Sequence, residues 1–386
     1  MRDHLPNRIL VALRRCLAGH GHIALHEPWF EGNEGNYVQE CIATGWVSTA
    51  GAFVERFEQQ LTEITGVKHA VATVNGTAAL HMCLKLAGVR GGDEVLTPAL
   101  CFVATANAIS YCGAVPHFAD SEIGTLGLDP AKLSGHLDEI AEIRDGVCTN
   151  RLTGRRIAAV VPMHTFGHPA DLDALDEVCQ RYRMTLVEDA AEALGSYYKG
   201  KHVGGQGLLS ALSFNGNKLV TTGGGGAILT NDDELARKAR HLTTTARLVD
   251  RWHFSHDEVG YNYRLPNLNA ALGVAQLEQL ETFVYRKRAL AERYRAAFES
   301  ARDVRYFVEP SFARSNYWLN TLLLEPEYSG ELEAILEVLN AAGLGARPAW
   351  TLMHRLPMYQ DCPRMDLGVA EDLAARIVNI PSSAFL

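Results

Sequence analysis

Apolar residues in this chain first recur at helical spacing and then alternate between helix and strand. Over Arg8–Ala18 they fall on one face, which predicts a short amphipathic helix lying against the main body. Helical patterns return over Tyr37–Thr44 and Ala52–Thr65, separated by Gly45-Trp46-Val47-Ser48, and Gly66 stops the second. A βα rhythm follows. Strands are predicted over Ala70–Val74, Glu94–Thr97, Val115–Phe118, Ile157–Val161, Thr185–Val187 and Leu208–Phe214. Helices are predicted from Asn75-Gly76-Thr77 onward, with Leu80, Cys83, Leu84 and Ala87 on one face, and over Phe102–Tyr111 and Asp171–Arg183. Such alternation makes an α/β fold with a mostly parallel sheet covered on both faces, whose ligands bind beyond the carboxyl ends of the strands.

The polar stretch Asp138–Arg156 interrupts this rhythm and reads as a helix end followed by an exposed excursion. Beyond Asn262-Tyr263-Arg264-Leu265-Pro266 a long helical region runs to about Ala301. A strand over Tyr317–Leu324 and helices over Glu331–Ala342 and Gly368–Val378 then describe a smaller α+β unit. The expected division is an N-terminal segment and large domain over 1–270 and a small C-terminal domain over 271–386.

Composition narrows the function classes. The chain has 386 residues, 47% of them hydrophobic and 21% charged, so a large buried core is expected. A net charge of −9 without a basic block argues against nucleic-acid binding, although a local basic pocket stays open. The eight cysteines show no C-x-x-C pair, and no histidine cluster has metal spacing, so no metal site is expected and a reducing cytoplasm is the simplest compartment. No signal-like N-terminus or apolar run of roughly 20 residues suggests a membrane.

The chemistry centres on Ser213–Gly226, SFNGNKLVTTGGGG. Lys218 follows a strand and a tight Asn215-Gly216-Asn217 turn, a setting that suits covalent amine chemistry, whereas an isolated lysine there would be a solvated surface residue. Its company decides between the two. Asp189 ends a buried strand, so its carboxylate wants a cationic partner, with a helix cap as the plainer reading. Gly76 and Thr77 open a helix whose amides suit a phosphate, and the Ser213 hydroxyl can reach the same group. Phe102 can lie flat on an aromatic ligand. Pyridoxal 5′-phosphate needs all four: an amine for its aldehyde, an acid for its ring nitrogen, a phosphate cradle and a stacking ring. The Gly223–Gly226 run could instead mark a nucleotide-binding loop. It lacks G-x-x-x-x-G-K-[ST] and does not open a helix, so it reads as close-packed backbone beside the lysine.

Thr73–Leu80 (TVNGTAAL), Thr97–Asn107 (TPALCFVATAN), Val187–Glu192 (VEDAAE), Ser213–Lys218 (SFNGNK) and Gly260–Arg264 (GYNYR) together resemble the DegT/DnrJ/EryC1/StrS sugar aminotransferases over about residues 25 to 360. The resemblance implies a fold-type I aminotransferase with a seven-stranded, mostly parallel sheet, a small C-terminal domain, and a homodimer with sites at the interface. It gives Lys218 the Schiff-base role, Asp189 the ring-nitrogen role, Phe102 the stacking role, and Gly76, Thr77 and Ser213 the phosphate roles. Asn262 matches an asparagine that reaches the phosphate of the partner subunit's cofactor. Glu192 stands near the cofactor hydroxyl, where the family often has Gln or His.

SFNGNK, together with MHTFGHPAD at Met163–Asp171, most resembles the branch that aminates nucleotide-linked 4-keto-6-deoxy-N-acetylhexosamines, with glutamate as the expected donor. Arg247, Arg251, Arg286 and Arg347 are candidate diphosphate partners, each with a plainer reading as a surface or structural arginine. Trp350 and His354 are candidate sugar contacts. Rival readings are a GDP- or dTDP-linked ketone or a free keto-octulosonate as substrate, and a cofactor-binding relative without turnover.

Overall fold

The computed structural model describes residues 4–17 and 21–386. Seven strands form the main sheet: β1 (His69–Thr73), β2 (Glu94–Pro98), β3 (Val115–Ala119), β4 (Ile157–Val160), β5 (Thr185–Asp189), β6 (Leu209–Ser213) and β7 (Gly226–Thr230). Their spatial order is β1-β7-β6-β5-β4-β2-β3. β7 pairs antiparallel with β1 and β6, while the other pairings are parallel. Every residue of β2, β4 and β7 is buried, as expected of strands covered on both faces. One edge of this sheet therefore collects the carboxyl ends of β1, β2, β5 and β6 and the start of β7.

A second sheet is antiparallel and is built from Val304–Tyr306, Asn320–Leu324, Ile377–Ile380 and Arg347–Pro348, in that order. Its core contains Leu322, Leu324 and Val378 together with Leu5, Ile9 and Leu13 of the first helix, Leu5–Cys16. That helix thus packs on the C-terminal helices Leu280–Phe298 and Leu332–Ala341 rather than on the main sheet, and the predicted end at Ala18 lies outside the described residues.

Other differences have local causes. The helical region after Pro266 is two helices, Asn267–Leu277 and Leu280–Phe298, broken at Glu278-Gln279. The first is buried nearly all round against Glu34–Thr44 and Ala52–Thr65 and stays with the main sheet. Within the polar excursion, Ala141–Arg144 and Val147–Asn150 pair as a hairpin whose turn, Asp145-Gly146, has φ of 49° and 82°. Its far end is anchored inside the protein: Asn150 Nδ2 and Thr153 Oγ1 donate to the fully buried Glu94 at 2.8 and 2.6 Å, and His117 meets the same carboxylate at 2.9 Å. The last helix ends at Arg376 because Ile377 and Val378 pair with Leu323 and Leu322 in the small sheet. Helix Asp233–Thr243 had no counterpart in the pattern reading. Among the described residues no helix is long and apolar enough to cross a membrane.

The glycine run has a specific packing duty. A Cβ on Gly226 would overlap the Asn75 carbonyl and the Gly76 amide, and a Cβ on Gly76 would stand 2.7 Å from Ser213 Cβ. The two glycines let β6, β7 and the head of helix Gly76–Leu86 meet at backbone distance. The close packing thus lies at the helix head. Gly226→Ala must push the Asn75-Gly76 peptide away, with an expected loss of about 1–3 kcal/mol. A urea denaturation series on the purified variant checks this.

Candidate active site

Four structural elements deliver their ends to one cavity of about 310 Å³ at the carboxyl edge of the main sheet. On β5 the side chains alternate, so adjacent acids face opposite ways. Glu188 turns into the protein, where it accepts from the amides of Gly204, Gln206 and Gly207 and meets His164 Nε2 at 3.0 Å. Asp189 turns into the cavity. Its Oδ2 accepts from Thr105 Oγ1 at 2.7 Å and its Oδ1 from the Ala191 amide at 3.1 Å, while the residue is only 4% exposed. Two donors fix the carboxylate and leave it lone pairs for a further N–H.

The phosphate-sized corner lies at the head of helix Gly76–Leu86. Asn75 caps it, its side chain accepting from Ala78 N at 2.7 Å and its carbonyl from Ala79 N at 3.1 Å. The amides of Gly76 and Thr77 belong to the opening turn, where the helix offers no carbonyl ahead of them. With the Ser213 hydroxyl beside Gly76, the donor set suits an anion at the positive end of the helix dipole.

Lys218 closes the tight turn, its amide donating to Asn215 O at 3.0 Å. Its ammonium Nζ lies 3.2 Å from Glu192 Oε1 and 4.1 Å from the centre of the Trp318 ring. Glu192 is fully inside, and its Oε2 accepts from the Phe166 amide at 3.0 Å. Burial is the main cause that pushes its carboxyl from the ordinary 4.5 up to about 7. The Asp189 charge adds to this, and the Lys218 ammonium opposes it. Phe166 is held at a φ of 55°, uncommon for an aromatic residue, by that bond and by Leu319 N donating to its carbonyl at 3.2 Å.

Aromatic rings make the outer wall. Phe102 stands at the mouth, 46% exposed, edge-on to Trp350 at 6.1 Å, and Trp350 packs on Phe166 at 4.8 Å. The structure therefore brings together Gly76, Thr77, Phe102, Asp189, Glu192, Ser213, Lys218 and Trp350. It does not bring in His354, whose Nε2 turns to Glu371 at 3.2 Å, or Asn262, which is exposed and does not line the cavity. Nor do the four candidate arginines line the cavity. Arg286 pairs with Glu31, Arg347 bonds Asn340, and Arg247 and Arg251 lie over Phe254 and Trp252 on an exposed segment. Sequence reasoning missed Thr105 and Trp318. The spacing of Thr105, three residues past Phe102 on a helix opening at the site, was a usable signal. Trp318 lay inside an apolar run that read only as core.

These donors fit pyridoxal 5′-phosphate on their own chemistry: an anion corner, a buried acid for a ring N–H, and a neighbouring amine. The fold and the site thus define an enzyme of the pyridoxal-phosphate aminotransferase class. The chain belongs to the DegT/DnrJ/EryC1/StrS aminotransferase family, whose profile matches residues 30–386. It is 37% identical over 369 residues to a GDP-perosamine synthase of Caulobacter vibrioides, covering 94% of each chain. It is 38% identical to the putative pyridoxal phosphate-dependent aminotransferase EpsN of Bacillus subtilis, covering 95% of this chain and 92% of that one. Among solved structures it is similar to the aminotransferase TlmJ of Streptoalloteichus hindustanus, with TM-score 0.85, 29% identity and 95% of each chain covered. Helicobacter pylori PseC, an aminotransferase of pseudoaminic acid biosynthesis, gives TM-score 0.84 and 26% identity over 94% of each chain. The protein is a pyridoxal-phosphate-dependent sugar aminotransferase, acting on a nucleotide sugar with an amino donor.

The raised Glu192 carboxyl has a stability consequence. Because its folded value lies above its unfolded one, its contribution is full below pH 4.5 and is lost as pH rises through about 7. In the cofactor-free protein, unfolding free energies from denaturant titrations at pH 5 and pH 8 should differ by up to ~3 kcal/mol more in the wild type than in Glu192→Gln.

Proposed function

We propose that the enzyme transfers an amino group from glutamate to the C4 ketone of a nucleotide-linked 4-keto-6-deoxy-N-acetylhexosamine. The observation that carries the reading is the Lys218 amine held between Glu192 and Trp318 in the cavity that also contains Asp189. Bound there, pyridoxal 5′-phosphate supplies the aldehyde that Lys218 engages and a ring that withdraws electrons from the reacting carbon. The Gly76 and Thr77 amides and the Ser213 hydroxyl hold the phosphate. Asp189, steadied by Thr105, keeps a proton on the ring nitrogen, and Phe102 covers a ring face. Lys218 would be the base that moves the proton between the α carbon of glutamate and the cofactor's reacting carbon, and between that carbon and the sugar carbon in the second half-reaction. Buried Glu192 flanks one side of the amine and would lie near the cofactor hydroxyl.

The SFNGNK and MHTFGHPAD segments support the N-acetylhexosamine reading. Leu80, Met163, Trp318 and Trp350 offer the cavity an apolar wall suited to a 6-deoxy methyl group. A GDP-linked keto-sugar is the second reading, favoured by the relatives named GDP-perosamine synthase at 34–37% identity. For assembly, we infer a homodimer. The segment carrying Val249, Trp252, Phe254 and Val259 exposes its apolar side chains, and Asn262 follows it on the same exposed stretch. A second copy covering that stretch would bring Asn262 to the partner subunit's cofactor, with Arg247 and Arg251 beside it. All eight cysteines are free, which fits the cytoplasm as compartment.

Two measurements test this. Lys218→Ala should abolish the visible absorption of the lysine-bound cofactor and lower amino transfer by on the order of 10³-fold or more; an unchanged spectrum sinks the site. A panel of UDP-, GDP- and dTDP-linked 4-keto-6-deoxy sugars, read by 2-oxoglutarate formed from glutamate, should favour the UDP-linked N-acetyl sugar. Preference for the GDP-linked sugar would establish the second reading, and no turnover of any would leave a cofactor-binding relative.

A further inference from the structure

Trp318 lines the cavity beside the amine, and the proton transfers above give it no role. Trp318 comes from the loop before strand Asn320–Leu324 of the small sheet, is 5% exposed, and crosses to the lysine turn of the main sheet. Its indole Nε1–H donates to the Asn217 carbonyl at 2.9 Å, the residue directly before Lys218. Its ring face lies 4.1 Å from Lys218 Nζ. The same side chain thus touches both ends of the lysine, its backbone and its amine.

Trp318 is itself pinned at every polar atom. Its amide donates to Asn316 Oδ1 at 2.8 Å, and its carbonyl accepts from Lys287 Nζ at 3.1 Å. Lys287 is fully buried, and its other partner is the Ser382 carbonyl. Burial drives its proton affinity well down, so this ammonium is costly to keep among carbonyls. Asn316 also reaches the other side of the site: its Nδ2 donates to the Glu192 and Leu194 carbonyls at 2.8 and 2.9 Å. One short segment therefore spaces the two groups that flank the amine, the Trp318 face and the Glu192 carboxylate.

We propose that Trp318 is a positioning residue for Lys218: it fixes the turn that carries the lysine and supplies the resting face for its amine whenever that amine is not covalently engaged. The proposal rests on Lys218 being the reacting lysine. A displaced four-carbon side chain must stay within reach of the carbon whose proton it moves, and a free lysine has many rotamers. Trp318 restricts them from one side as Glu192 does from the other, and the π face stabilises the ammonium. Lys287 acts one step back, holding the Trp318 carbonyl.

The test uses Trp318→Leu, which removes face and N–H, and Trp318→Phe, which keeps a face and the apolar volume but removes the N–H. In the cofactor-free full chain, reductive methylation of Lys218 by formaldehyde and cyanoborohydride, read by peptide mass, should quicken on the order of 10-fold in Trp318→Leu, the equivalent of one desolvated cation–π contact. In Trp318→Phe it should quicken less. In the loaded enzyme both variants should lower kcat with little change in KM, the pattern expected when positioning rather than ground-state binding is lost. Lys287→Met should shift labelling in the same direction as Trp318→Leu. Wild-type labelling and kcat in Trp318→Leu overturn the proposal; should that variant not fold, wild-type kcat and labelling in Trp318→Phe overturn it equally. The labelling needs no sugar, so failure of the proposed substrate leaves this outcome readable, and an unchanged cofactor spectrum in Lys218→Ala would instead mark failure of the lysine assignment.

Discussion

Two carboxylates and one amine share a pocket nearly closed to water, and their charges do not cancel. Asp189 is buried and held by two donors, Thr105 Oγ1 and the Ala191 amide. Glu192 meets Lys218 at 3.2 Å, yet its carboxyl still titrates near 7, because burial and Asp189 outweigh the ammonium. The site therefore has room for one more positive charge beside these acids. The acid at 192 adds to the same demand. Everything else in the site serves to keep these groups apart from water and at fixed separation.

That separation is a packing result. Backbone contact among β6, β7 and the helix head is possible only because Gly76 and Gly226 lack side chains, and it places the anion corner beside the end of β6. The lysine turn follows from the same strand end five residues on. A cradle made of amides and a turn made of backbone move little, so the anion corner and the lysine turn are set by the scaffold and need no ordering on binding.

How much of this was legible follows from where each residue sits. Buried parallel strands are continuous apolar runs, so β1 to β6 could be read directly, and residues at their carboxyl ends could be nominated without knowing the fold. Lys218, Asp189, Gly76, Thr77 and Ser213 are such residues. Trp318 was not legible because a tryptophan before an apolar strand has the same pattern whether it packs in a core or faces a ligand. The hairpin at Asp145-Gly146 was hidden differently: it lies in a largely polar stretch, and what anchors it is Glu94, 56 residues before Asn150 and 59 before Thr153. His354 and Trp350 lie four residues apart, and only the fold shows that a turn sends one to Glu371 and the other into the cavity. Asn262 could be nominated only through the family resemblance, since in a single chain it is exposed and does not line the cavity.

The site also depends on a polar seam between the two sheets. The Gly167 carbonyl accepts from both Ser196 Oγ and Ser315 Oγ at 2.7 and 2.9 Å, and Asn316 spends its side chain on Glu192, Leu194 and Trp318. An apolar seam of equal area would hold the units together as well, but it would tolerate sliding. Directional bonds at buried atoms do not, because each slip leaves donors and carbonyls unpaired in a dry interior. The seam thus contributes register more than adhesion. Register is what the chemistry needs: Phe166 and Glu192 from the large unit and Trp318 from the small one must arrive around the same amine to within a fraction of an ångström. A fold of two units can build a catalytic pocket between them only where such a seam forbids them to drift.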